Sequence, residues 1–183
     1  MKTVLLTGAS GGLGLALSKK LLEQGYFVYL HYHHSKKALE TLHNKYPDYS
    51  KLIQADFACE EDLLRIKAQI DKPLDILINN AEIEHLGPLE EKTMTTMHQI
   101  FQINNVAPFL LMKQYASEIE KREGSIINIS SDNTIDQYDE VTLEYDVSKA
   151  GLNQLSKSFA RIYPKAKINA VCFGWLDTPM NDF

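Results

Sequence analysis

An α/β fold, a doubly wound parallel sheet between two helical layers, is predicted by two patterns in the sequence. Short β-branched and aliphatic runs alternate with segments of helical period, as in successive βαβ units. A glycine-rich segment from Gly8 to Gly14 follows the first of those runs and opens the first helical one. The 183 residues, 44% hydrophobic and 23% charged, suit one domain spanning 1–183 with a substantial core.

In chain order, strands are expected at 3–7, 27–32, 51–55, 76–78, 125–130 and 167–172. Leu13, Ala16, Leu17 and Leu21 share one helical face, as do Leu63, Ile66 and Ile70. Met94, Met97, Phe101 and Asn104 line a long helix, and Leu152, Leu155, Phe159 and Ile162 a last one. These stripes read as core. The stretch 132–144 is polar and acidic without clear period and falls between a strand and a helix, where loops carry function. No repeat, low-complexity tract or linker composition interrupts the pattern.

Composition excludes several classes of function. With 24 acidic against 19 basic side chains the net charge is −5, so there is no general attraction to nucleic acid or an anionic membrane surface. Cys59 and Cys172 lack the spacing of a metal site or a disulfide framework, and reduced thiols fit a cytoplasmic setting. The first eight residues are too polar for a signal peptide's apolar stretch. No apolar run approaches the roughly 18 residues of a membrane span.

In open parallel sheets ligands sit beyond the carboxyl ends of the strands. Thr7-Gly8-Ala9-Ser10-Gly11-Gly12-Leu13-Gly14 stands at such an end. Its glycines permit a tight turn and a close backbone approach, and the following helix N-terminus offers amides to a pyrophosphate. The Gly-x-x-x-Gly-x-Gly spacing resembles the nucleotide loop of the short-chain dehydrogenase/reductase family. Other marks of that family recur in order: Asp56 after the third strand, Asn79-Asn80-Ala81 after the fourth, Asn104, Ser131 after the fifth, and Tyr145-x-x-x-Lys149. Gly124 to Ser131 and Trp175 to Met180 are most similar to phrases of the 3-oxoacyl-acyl-carrier-protein reductases.

The resemblance implies a Rossmann-type three-layer sheet in the order 3-2-1-4-5-6. It also implies an NAD(P)-dependent oxidoreductase acting on a small carbonyl or alcohol. The implied cofactor contacts are Gly8, Ser10, Gly12, Leu13, Gly14, Asp56, Phe57, Asn80, Ala81, Tyr145, Lys149, Gly174 and Thr178. The implied catalytic set is Asn104, Ser131, Tyr145 and Lys149.

Elementary chemistry agrees with those roles. Tyr145 and Lys149 are four apart, which on a helix places them on one face. A phenol titrates near about 10 in water, so it works as an acid or base near neutrality only beside a cation. By resemblance Tyr145 protonates the carbonyl oxygen and Lys149 holds the nicotinamide ribose. Ser131 would hydrogen-bond the carbonyl. Ser130 is its rival, because consecutive strand residues face opposite ways. Pro108, four residues beyond Asn104, lacks an N–H and frees the Asn104 carbonyl, in keeping with the family role of holding a water.

NAD-dependent relatives place an acid at the end of the second strand for the ribose 2′-hydroxyl. Here the strand runs into His31-Tyr32-His33-His34-Ser35-Lys36-Lys37 with no acid, and His34, Ser35 and Lys36 would meet a 2′-phosphate. NADP(H) is therefore favoured over NAD(H). A metal site in the histidine cluster lacks a completing carboxylate or cysteine, and none is expected.

Three positions depart from the family pattern. Glu82 stands where a glycine follows Asn-Asn-Ala, and Phe173 stands where proline precedes Gly174. The sequence runs to Phe183, whereas in relatives a lid, a helix and a last strand follow. The helices bearing Asn104 and Lys149, which pair subunits in relatives, imply a homodimer. Two readings result: a carbonyl reductase with a Ser/Tyr/Lys/Asn site, or a truncated or degenerate relative that binds nucleotide or a partner subunit with little turnover.

Overall fold

The computed structural model describes residues 1–135 and 140–176. Six strands, β1 (Thr3–Leu6), β2 (Phe27–Tyr32), β3 (Ser50–Gln54), β4 (Ile76–Asn79), β5 (Ser125–Ser131) and β6 (Lys167–Phe173), form one sheet in the order β3-β2-β1-β4-β5-β6. Every neighbouring pair is parallel. The chain reverses direction across the sheet between β1 and β4, so a crevice is expected at their carboxyl ends.

The central strands β1, β2 and β4 are buried on both faces, which explains their apolar character, whereas the outer strands β3 and β6 keep exposed positions. In β1, Leu5 packs on one side with Tyr29, Ile53 and Leu77. Val4 and Leu6 pack on the other with Val28, Leu30 and Ile78. Helices α1 (Gly12–Glu23) and α2 (Lys37–Lys45) cover the second face through Leu22 and Leu39. Helices α3 (Glu60–Gln69), α5 (Ala107–Lys121) and α6 (Leu143–Ile162) cover the first.

Three expectations about helical faces need correction. On α1, Ala16 is exposed; Leu13, Leu17 and Leu21 pack partly buried against the core, while Gly14, Ser18 and Leu22 are the fully buried positions. The helix lies so close to the strand ends that only small residues fit, and the Ser18 hydroxyl is satisfied by the carbonyls of Gly14 (2.7 Å) and Ala9 (3.2 Å). Met94 is exposed, because it opens the short helix α4 (Met94–Phe101), whose buried residue is Ile100. Ile162 is also exposed, at the fraying end of α6.

The long helix expected around Asn104 is divided. A π turn, Gln102–Val106, separates α4 from α5, and Pro108 sits in the first turn of α5. A proline is tolerated there because its missing N–H falls where the ladder is already widened. The stretch 132–144 opens with a short 3₁₀ turn, Asp132–Thr134, and α6 has begun by Leu143, so Tyr145 lies in its first turn.

Candidate active site

A cleft of about 720 Å³ lies at the carboxyl ends of the strands, over the switch point between β1 and β4. Its floor is the glycine loop. Gly8 has φ +61°, a conformation side chains resist, and an added Cβ there would lie 2.8 Å from the Ala81 Cα. A Cβ on Gly14 would lie 2.0 Å from the Gly8 carbonyl oxygen, so the loop and helix meet at backbone contact. Ser10, Gly12 and Leu13 line the cleft beside them.

The amino end of α1 is left open. Gly11 offers no capping side chain, and no acidic residue lies in the first turn. Its free amides and the helix dipole therefore suit an anion. With the close-packed glycines, they fit the pyrophosphate of a dinucleotide cofactor.

The β4 end holds the loop from the other side. The Thr7 hydroxyl accepts from the Asn80 and Ala81 amides at 2.9 Å each. The Asn80 side-chain amide donates to the Thr7 and Gly8 carbonyls, both at 3.0 Å. Thr7 escaped the sequence argument, although a hydroxyl residue directly before the glycines was its visible signal.

Beyond β2 the cleft is lined by His31, His33, His34 and Ser35, and beyond β3 by Asp56 and Phe57. Lys36 does not line this cleft. Its ammonium pairs with Glu40 at 2.9 Å on the surface of α2, so its expected contact with a 2′-phosphate requires that exposed pair to open. His33 lies 3.5 Å from the Asp56 carboxylate. Among the described residues no group of three His, Cys, Asp or Glu converges on a metal position.

At the far end, β5 and α6 bring Ser131, Tyr145 and Lys149 together. Ser131 and Tyr145 both line the cleft, and the Ser131 hydroxyl accepts the Asn133 N–H at 3.3 Å. Ser130 instead reaches the Lys149 backbone carbonyl at 3.5 Å. The Lys149 ammonium, 5.3 Å from the centre of the Tyr145 ring, is 2% exposed and donates to the Ile129 carbonyl at 2.7 Å.

The second partner of Lys149 is the Glu82 carboxylate, which forms a close ion pair with it. Glu82 is held in place from both sides. Asn80 and Ala81 are anchored to Thr7, and the Ile83 backbone is clasped by the Asn104 side chain. Asn104 accepts the Ile83 N–H at 3.0 Å and donates to its carbonyl at 2.9 Å. The same Asn104 amide donates to the Ser148 hydroxyl at 3.0 Å, so this side chain works behind the cleft rather than in it.

The electrostatics follow from that arrangement. Burial raises the Tyr145 phenol well above its ordinary range, and the Glu82, Glu84 and Asp146 carboxylates push it further, while Ser131 acts in the opposite sense. Lys92 ties the β4 loop to the start of α6, donating to the His85 and Val141 carbonyls at 2.7 and 2.8 Å and pairing with the buried Glu144 at 2.8 Å. Burial works to raise the Glu144 carboxyl, but Lys92 and Thr96 hold it below its ordinary range. Gly174 lines the cleft, and Thr178 lies outside the described residues.

The short chain dehydrogenase family profile matches residues 2–183. Nodulation protein G of Rhizobium sp. (strain N33) is 33% identical over 187 residues, covering 99% of this chain and 76% of that protein. An uncharacterized oxidoreductase of Bacillus subtilis (strain 168), YmfI, is 28% identical over 188 residues, covering 98% and 76%. Among solved structures, a blue fluorescent protein from a metagenomic library, in complex with NADPH, superposes with a TM-score of 0.91. It is 29% identical, and the match covers 98% of this chain and 76% of that one.

Proposed function

We propose that this chain, which belongs to the short-chain dehydrogenase/reductase family, is an NADPH-dependent reductase converting a carbonyl to an alcohol, a 3-oxoacyl thioester being one candidate substrate. The observation that carries this reading is that β5 and α6 bring Ser131 and Tyr145 into the cleft that begins at the glycine loop, with the Lys149 ammonium 5.3 Å from the centre of the Tyr145 ring. The glycine loop and the open end of α1 would hold the pyrophosphate. Asp56, Phe57, Asn80 and Ala81 would line the adenine and ribose positions. His34 and Ser35 at the end of β2, with no acid in that turn, support a 2′-phosphate over a free hydroxyl.

When bound, NADPH supplies the hydride that adds to the carbonyl carbon. Tyr145 gives its phenolic proton to the carbonyl oxygen, and Ser131 hydrogen-bonds the same oxygen as negative charge develops. Lys149 offers its ammonium to the nicotinamide ribose, with Asn104 behind it fixing the β4 loop. The exposed apolar positions on the π turn, α5 and α6 support pairing of two copies along those helices.

The Glu82–Lys149 pair favours a second reading, nucleotide binding with little turnover, because it occupies the cation on which the tyrosine depends. Oxidation of NADPH over a small panel of carbonyl compounds, beside a titration of NADPH and NADH binding, separates the two. The reductase reading predicts turnover that falls at least about 100-fold in Tyr145→Phe with cofactor binding retained. Binding without turnover, or turnover indifferent to Tyr145→Phe, selects the second.

A further inference from the structure

We propose that His31 is a positioning residue for the cofactor, its imidazole fixing the Gly8 peptide and thereby shaping the glycine loop to receive a pyrophosphate. The inference rests on the nucleotide-binding reading above. It begins from a titratable side chain that the proposed chemistry leaves unused, 3% exposed near the end of β2.

Both ring nitrogens of His31 are engaged. The Gly8 N–H donates to Nδ1 at 3.1 Å, so Nδ1 is the acceptor and Nε2 carries the proton. That Nε2–H faces the Ala55 carbonyl at 3.1 Å. Burial lowers the imidazole to about 4, which keeps this tautomer neutral and the acceptor free at ordinary pH. The His31 backbone joins in, its carbonyl accepting the Ala9 N–H at 2.8 Å.

These contacts fix the peptide that leads into Gly8, the residue of the loop with positive φ. The Thr7 carbonyl, in the same peptide as the Gly8 N–H, is already held by the Asn80 side chain at 3.0 Å. His31 takes the opposite end, so the peptide cannot rotate without breaking a bond on each side. The ring also stacks on Phe57, with centroids 4.1 Å apart and planes inclined by 13°. Ala55 and Phe57 flank Asp56 on the adenine side of the cleft. One imidazole thus ties the phosphate-binding loop after β1 to the adenine wall after β3.

The two ring nitrogens are separable by substitution. Asparagine places an amide oxygen near the Nδ1 position and keeps an acceptor for Gly8. Glutamine places an amide nitrogen near the Nε2 position and keeps a donor for Ala55. The full chain and the variants His31→Asn and His31→Gln are compared by NADPH fluorescence titration, by Tm, and by the split between KM for NADPH and kcat.

The expected result is an NADPH Kd for His31→Asn within about 3-fold of the unsubstituted chain and for His31→Gln at least about 10-fold weaker. Both would lose Tm to a similar extent, and kcat at saturating NADPH would be unchanged. Equal affinities for the two variants, or losses that merely follow Tm, overturn the assignment while leaving the cofactor reading intact. Failure of the unsubstituted chain to bind NADPH overturns the cofactor reading and this inference with it.

Discussion

Glu82 decides the charge balance of the candidate site more than any other residue. A glycine at this position would leave the Lys149 ammonium with only the Ile129 carbonyl among the partners described above. With Glu82 present the ammonium is held in an ion pair, and the carboxylate adds to the burial that already raises the Tyr145 phenol. A raised phenol stays protonated through neutral and mildly alkaline pH, so the proton for carbonyl reduction is present, although a weaker acid releases it less readily. It is correspondingly poor as the base for alcohol oxidation, which needs the phenolate. Removing the charge with Glu82→Gln therefore lowers the phenol toward its ordinary value. The pH midpoint of NADP-dependent alcohol oxidation should move at least about one unit toward acid, a roughly 10-fold gain in rate below the midpoint. Coincident pH profiles for the two proteins would show that Glu82 does not govern the tyrosine.

The elements divide into those that build the cleft and those that face outward. Tyr145 and Lys149 share one face of α6, as their four-residue spacing predicts, and β5 delivers Ser131 to the same place. Pro108 marked a break in helical regularity near Asn104, and the π turn lies there. What the spacing did not reveal is the task of the Asn104 side chain, which clasps Ile83 and so holds the neighbour of Glu82.

On the outer side, Val106 and Phe109 are each 39% exposed, and Leu143 and Val147 of α6 are 43% and 47% exposed. The proposed pairing of two copies would cover these exposed apolar side chains. Sedimentation velocity at micromolar concentration should find a dimer, and Val147→Lys should give a monomer that still binds NADPH. A monomeric unsubstituted chain would contradict that pairing.

For the molecule as a whole, the sheet was legible because its central strands β1, β2 and β4 are buried on both faces and so read as largely apolar runs. The glycine loop was legible because close approach of backbone leaves a mark that only glycine can make. On α1 the period found Leu13, Leu17 and Leu21, which pack against the core, but not Gly14 and Ser18, which are buried by being small and leave no hydrophobic signal. Glu82 was visible as a departure from a pattern. Its pairing with Lys149 joins residues 67 apart in sequence and required the fold. The same is true of His31, whose neighbours Gly8 and Ala55 lie just beyond the strands on either side of β2. Lys36 shows the opposite error, a residue near enough in sequence to reach the cleft but turned to Glu40 by the first turn of its own helix.

The cleft, the glycine loop and the Ser131–Tyr145–Lys149 group converge on one claim, that hydride and proton pass to a carbonyl held at the end of β5. The measurement that tests it most directly is transfer of label from NADPH carrying deuterium at the reactive nicotinamide carbon. The account predicts an alcohol product one mass unit heavier than that formed with unlabelled NADPH, with its formation suppressed in Tyr145→Phe. Product without the label, or labelled product formed equally fast by Tyr145→Phe, would contradict it.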